Sequence, residues 1–143
     1  GGDDDPGFEY APVNRYVGTA NFFLLDVHNL AFWAFQYGFS AAAATIVAGT
    51  LAERCQMKAY VYYSVFLSGW VYPVAAHATW SVPGALSPFR EDPLLGVGVL
   101  DFAGSGVIHV TGGVAALIAT WVVGPRRGRF HDEITGDALE KPR

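Results

Sequence analysis

Three stretches of this chain, 27–52, 59–89 and 102–125, contain no Asp, Glu, Lys or Arg. A bilayer's hydrocarbon core takes about 20 helical residues to cross, and each stretch is longer than that. Only 15% of the 143 residues are charged, while 52% are hydrophobic; an ordinary soluble domain carries about 25% charged residues. The first run starts in polar "VHN" and the second ends in "SVPGALSP", which places expected helices at 30–52, 59–80 and 101–123. The expected fold class is therefore all-α, a polytopic membrane helix bundle. A soluble bundle would have to bury three such runs in one small core, and is disfavoured. Aromatic residues gather toward the proposed ends (Phe32, Trp33, Phe35, Trp80, Trp121), as interface belts do, and the middles, "SAAAATIVAGT" and "GSGVIHVTGGVAAL", are rich in small residues that let membrane helices approach closely.

Lys and Arg set an orientation. Arg54 and Lys58 flank the first turn, and Arg126, Arg127, Arg129, Lys141 and Arg143 follow the third helix, leaving only Arg15 and Arg90 on the other side. The positive-inside rule then makes 53–58 and 124–143 cytoplasmic, with 1–29 and 81–100 outside. The basic "GPRRGR" reads as a stop after a spanning helix, with anionic lipid as its competing partner. The net charge of −4 argues against nucleic acid. The stretch "HDE" at 131–133 lacks convergent ligand spacing, so no metal is expected. A single cysteine, Cys55, excludes an internal disulfide framework. The chain opens Gly-Gly without a recognisable signal peptide and has one methionine, Met57, so it is expected to be part of a longer protein.

Ionisable groups inside spans are expensive and are functional candidates by default. Four polar residues qualify: Gln36, His77 and His109, with Asp101 at the mouth of the third helix. Asp101 fits a cap on the free amides of the first turn, and can also project its field toward a cation. His109 lies eight residues on, about 12 Å along an α-helix and so near mid-bilayer. Its neutral ring has one donor and one acceptor, which suits a proton relay and equally suits packing against a neighbouring helix. His77 reads as an interfacial histidine, and the nearby indole of Trp80 offers a π face to a small cation. Phe35 and Phe39, four apart, share a helix face as packing or as a gate. Two classes of function remain open on these residues: passage of a small polar solute past His109, or haem ligated by His77 and His109. Haem needs both histidines at one depth, which their positions disfavour.

"DFAGSGVIHVTGG" resembles the fifth-helix signature of the ammonium transporter (Amt/Rh) family. "FQYGFSAAAATIVAGTLAER" is similar to the family's third helix, "GWVYPVAAHATWS" to the end of the fourth, and "GPRRGRF" to the loop after the fifth. "YVGTANFFL" and the long loop "SVPGALSPFREDPLLGVGV" look like plant-type members. The resemblance spans residues 16–130 and implies helices three to five of a fold of about eleven. It implies a transporter of ammonium or ammonia and not an enzyme, with no cofactor, in a bilayer, assembled as a homotrimer and sited in the plasma membrane. Phe39 then matches an outer-gate phenylalanine, with Phe35 one turn outward. Trp80 matches the tryptophan that recruits ammonium by cation–π contact, Asp101 the aspartate that shapes this site, and His109 the first of two pore histidines. The second gate phenylalanine, a serine of the recruitment site and the second histidine belong to later helices, so this chain is not expected to transport alone. An ammonium sensor acting through a cytoplasmic tail is the alternative.

Overall fold

The computed structural model describes residues 14–18, 27–126 and 128–130. The acidic start, residues 19–26, Arg127, the "HDE" stretch, Lys141 and Arg143 lie outside them. The described chain is helical, with no strand among the described residues. Helix α1 spans Leu30–Leu51, and Asn29 starts it by accepting the Phe32 amide at 2.9 Å on its side-chain oxygen. After a tight turn, α2 (Met57–Phe66), a wide π turn (Leu67–Val71) and α3 (Tyr72–Trp80) run on as one rod. A second π turn (Ser105–Val110) leads directly into α4 (Thr111–Val123). Both α1 and the stretch Ser105–Val123 are long and apolar enough to cross a membrane.

Each wide turn has a local cause. Pro73 has no N–H to donate and its ring crowds the carbonyl four residues back, so the helix ahead of it relaxes: the Tyr72 amide reaches the Leu67 carbonyl, five residues back. At the second, the His109 amide reaches the Gly104 carbonyl at 3.0 Å, again five back. Gly104 enters this turn at φ +82°, a left-handed conformation that favours glycine, and a Cβ there would strike the Ile108 side chain.

The rods alternate in direction. At one end the Arg54 guanidinium donates to the Gly124 carbonyl at 3.0 Å, and Arg126 pairs with Glu53 at 2.6 Å. At the other end the Leu86 amide donates to Ala78, the Val99 amide to Leu86 and the Ala85 amide to Arg15. These bonds tie the loop after α3 and the segment before α1 to the top of α3. Between the ends, Ala43, Ala44 and Val47 of α1 pack against Leu67 and Tyr72 of the second rod and against Val107, Ile108 and Ala116 of the third.

Small residues set the α1–α4 spacing. A Cβ on Gly112 would stand 3.0 Å from the Ala43 carbonyl and 3.1 Å from Ile46 Cβ. A Gly112→Val variant of the full-length protein is expected to lose about 1–3 kcal/mol through overpacking. Thermal unfolding in detergent checks it, and an unchanged midpoint would show that the helices can separate freely.

Candidate functional site

At one end of this alternation, where α1, the top of α3 and the start of the third rod meet, four of the sequence candidates come together. Phe35 and Phe39 pack edge to face along α1, ring centroids 4.6 Å apart. The Phe39 ring lies 5.8 Å from that of Trp80 at an interplanar angle of 55°. Phe35 is 59% exposed, whereas Phe39 and Trp80 are partly buried against the core. The aromatic row thus runs from an exposed ring to partly buried ones. The Trp80 Nε1–H donates to the Asp101 backbone carbonyl at 2.8 Å, which fixes the indole across 21 residues of sequence.

Asp101 is buried and bonded throughout. Its Oδ1 accepts from the Gly104 amide at 2.8 Å and from the Ser105 hydroxyl at 3.3 Å. Its Oδ2 accepts from the amides of Gly106 at 3.0 Å and Val107 at 2.7 Å. Burial opposes ionisation here, but the amides of Val107, Gly104 and Gly106 and the Ser105 hydroxyl outweigh it and hold the carboxyl below its ordinary value. The carboxylate caps the helix from outside, since helical geometry begins only at Ser105. Ser105 and Gly104 are the residues that sequence reasoning missed; the "GSG" after Asp101 was their signal, a left-handed residue flanked by small ones.

His109 sits inside the second π turn and is exposed among the described residues. Residues 102–104 are bent, so only about one helical turn separates the start of the rod from His109. The eight helical residues expected between Asp101 and His109 are not there, because the chain folds back so that the carboxylate reaches the amides. His109 is consequently shallower along the rod than a straight helix from Asp101 would put it. Its neighbours Val107 and Ile108 are buried in the core, so the imidazole is carried on the side that these three rods leave open.

His77 takes another part. Its Nε2 lies 2.8 Å from the Asn14 carbonyl. A carbonyl only accepts, so this nitrogen carries the hydrogen and binds the segment before α1 to the top of α3. Gln36 is half-buried on α1. Among the described residues no group of three His, Cys, Asp or Glu converges as a metal site would require.

The ammonium transporter family model matches residues 5–140 of the chain. The chain is 48% identical over 122 residues to "Putative ammonium transporter 1 member 5" of Arabidopsis thaliana, covering 82% of this chain and 25% of that protein. It is 47% identical over 133 residues to "Ammonium transporter 1 member 2" of Oryza sativa subsp. japonica, covering 87% and 27%. To "Ammonium transporter 1 member 3" of Solanum lycopersicum it is 44% identical over 127 residues, covering 86% and 28%. The chain spans about a quarter of the length of these curated relatives. No solved structure gives a significant match.

Proposed function

Because the chain belongs to the ammonium transporter family, a family of polytopic membrane helix bundles, we propose that it forms the outer recruitment site and one half of the proton relay of a transporter that moves ammonium or ammonia across a membrane. The observation that carries this reading is the row Phe35, Phe39 and Trp80, backed by the buried carboxylate of Asp101. An ammonium ion is attracted to aromatic faces by their quadrupoles, and the nearby negative charge adds a field of the right sign. Asp101 acts without touching the ion, because its oxygens are already engaged by the helix amides. Taking an intact cation into hydrocarbon costs several kcal/mol or more. Parting the proton from neutral ammonia avoids burying that charge, and His109 accepts and returns the proton with a second histidine supplied by the rest of the protein. Potassium, with no proton to give, is refused on this path. In this reading the residues 53–58 and 124–143 face the cytoplasm, the protein is sited in the plasma membrane, and its subunits assemble as a homotrimer.

Trp80→Leu in the full-length protein tests the recruitment step. Loss of a cation–π contact worth about 0.5–2 kcal/mol is expected to raise the half-saturating ammonium concentration roughly two- to thirtyfold. Uptake measured against concentration in cells without their own ammonium transporters reads this directly. An unaltered concentration dependence would remove Trp80 from the site.

A further inference from the structure

His77 is a titratable group at the aromatic end of the bundle that the transport reading does not use. It lies three residues before Trp80 on α3, and side chains three apart share a helix face with Cβ atoms about 5–6 Å apart. The ring is met on both of its nitrogens. Its Nε2–H donates to the Asn14 carbonyl at 2.8 Å, and its Nδ1 faces the same segment, where a Cβ on Gly18 would stand 3.6 Å away. The main chain beneath the ring is fixed as well. The His77 carbonyl accepts from the Ser81 amide and hydroxyl at the end of α3, and the Ala85 amide, donating to the Arg15 carbonyl at 2.8 Å, joins the loop after α3 to the segment before α1.

This bonding lets the ring gain a charge without moving. A nitrogen bound to a carbonyl carries hydrogen in the neutral ring and in the imidazolium alike, so the Asn14 bond survives protonation and the added proton goes to Nδ1. Histidine is the side chain whose charge ordinarily changes between about pH 5 and 8. We propose that His77 makes the recruitment of ammonium sensitive to external pH: its imidazolium, about one helical turn from Trp80, repels the cation that the indole attracts, and the neutral ring does not. The proposal rests on the recruitment reading of Trp80, under which this end meets the outside solution. The titratable and charged residues of the elements around the ring are Arg15 and Tyr16 before α1, Arg90, Glu91 and Asp92 in the loop, and Asp101 and His109 on the third rod. Guanidinium, phenol and carboxylate groups ordinarily keep their charge between about pH 5.5 and 7.5, which leaves the histidines. His109 belongs to the relay, so its protonation acts on the rate of passage rather than on recruitment. His28, just ahead of α1, stands eleven residues from Phe39, roughly 15 Å along the helix.

Uptake by the full-length protein, in cells without their own ammonium transporters, is measured against ammonium concentration at external pH values of about 5.5 and 7.5, and the half-saturating concentration is separated from the maximal rate. Ammonia stays almost wholly protonated over this interval, so the supply of cation does not vary. The half-saturating concentration is expected to be roughly two- to fivefold higher at the lower pH, the effect of one unit charge at this distance in a largely aqueous mouth. His77→Gln keeps an N–H for the Asn14 carbonyl but takes no charge, and is expected to hold the lower value at both pH values. His77→Lys carries its charge throughout and is expected to hold the higher one, while His28→Gln keeps the dependence of the unaltered protein. A half-saturating concentration that ignores pH, one that shifts equally in His77→Gln, or a pH effect confined to the maximal rate would each overturn the proposal. Trp80→Leu is run alongside. If it raises the half-saturating concentration while His77→Gln still responds to pH, His77 alone loses its role; if it has no effect, the recruitment reading itself falls.

Discussion

Asp101→Ala in the full-length protein is expected to cost about 3 kcal/mol of stability and at least roughly tenfold in ammonium uptake. One N-cap substitution costs ~1 kcal/mol, and this carboxylate serves three amides and a hydroxyl with charge-assisted bonds worth ~1.5–3 kcal/mol each before non-additivity. The functional loss follows from the structural one. The Asp101 main chain holds the Trp80 indole, so a loosened turn leaves the ring without a fixed anchor. Asp101→Asn separates charge from shape. Its amide keeps one acceptor, but its NH2 would face donors at Gly106 and Val107 or at Gly104 and Ser105, so only part of the stability should return. Thermal unfolding and uptake, measured side by side, decide the matter. A wild-type midpoint for Asp101→Ala would mean that the amides find other partners.

For His109→Asp the expectation is loss of at least tenfold in ammonium uptake, with potassium becoming a competitor. An aspartate here, about one turn inside a membrane helix, costs less than the roughly 2.5–3.5 kcal/mol it would cost at the centre, and where it ionises it offers potassium the fixed negative site that a neutral imidazole withholds. His109→Gln refines the test. Glutamine keeps one donor and one acceptor group but does not titrate, so a relay fails in it and a simple hydrogen-bonding residue does not. Wild-type rates in the glutamine variant would end the relay role for His109.

The large features of the fold were legible because membrane spans announce themselves by missing charge, a property of composition and length alone. Asp101 was legible as a cap for a similar reason: capping is local. What it does beyond capping was not, because its carbonyl serves an indole 21 residues earlier in the chain. His77 stayed undecided for the same cause, its partner being the Asn14 carbonyl 63 residues away. Apolar patterning is also insensitive to one extra residue in a turn, which hid both π turns, and to the bend at residues 102–104, which made a straight helix of the stretch from Asp101 to His109. Pro73 was the one visible sign of the first. The aromatic row came from resemblance rather than from spacing, since a four-residue interval between phenylalanines describes ordinary packing equally well.

The wide turn at Leu67–Val71 has a geometric effect on everything around it. An α-helix advances about 100° per residue, so one residue added to a turn swings the two ends of a rod by that angle relative to each other. α3 buries Tyr72, Ala78 and Thr79 against this bundle, while α2 buries none of its residues against the described chain. Among the described residues this one continuous helix packs closely on the bundle through α3, and α2 reaches the same core only through the partly buried Tyr63. Removing one residue from the turn would rotate α2 about the rod by that angle and carry Tyr63 out of line with the core.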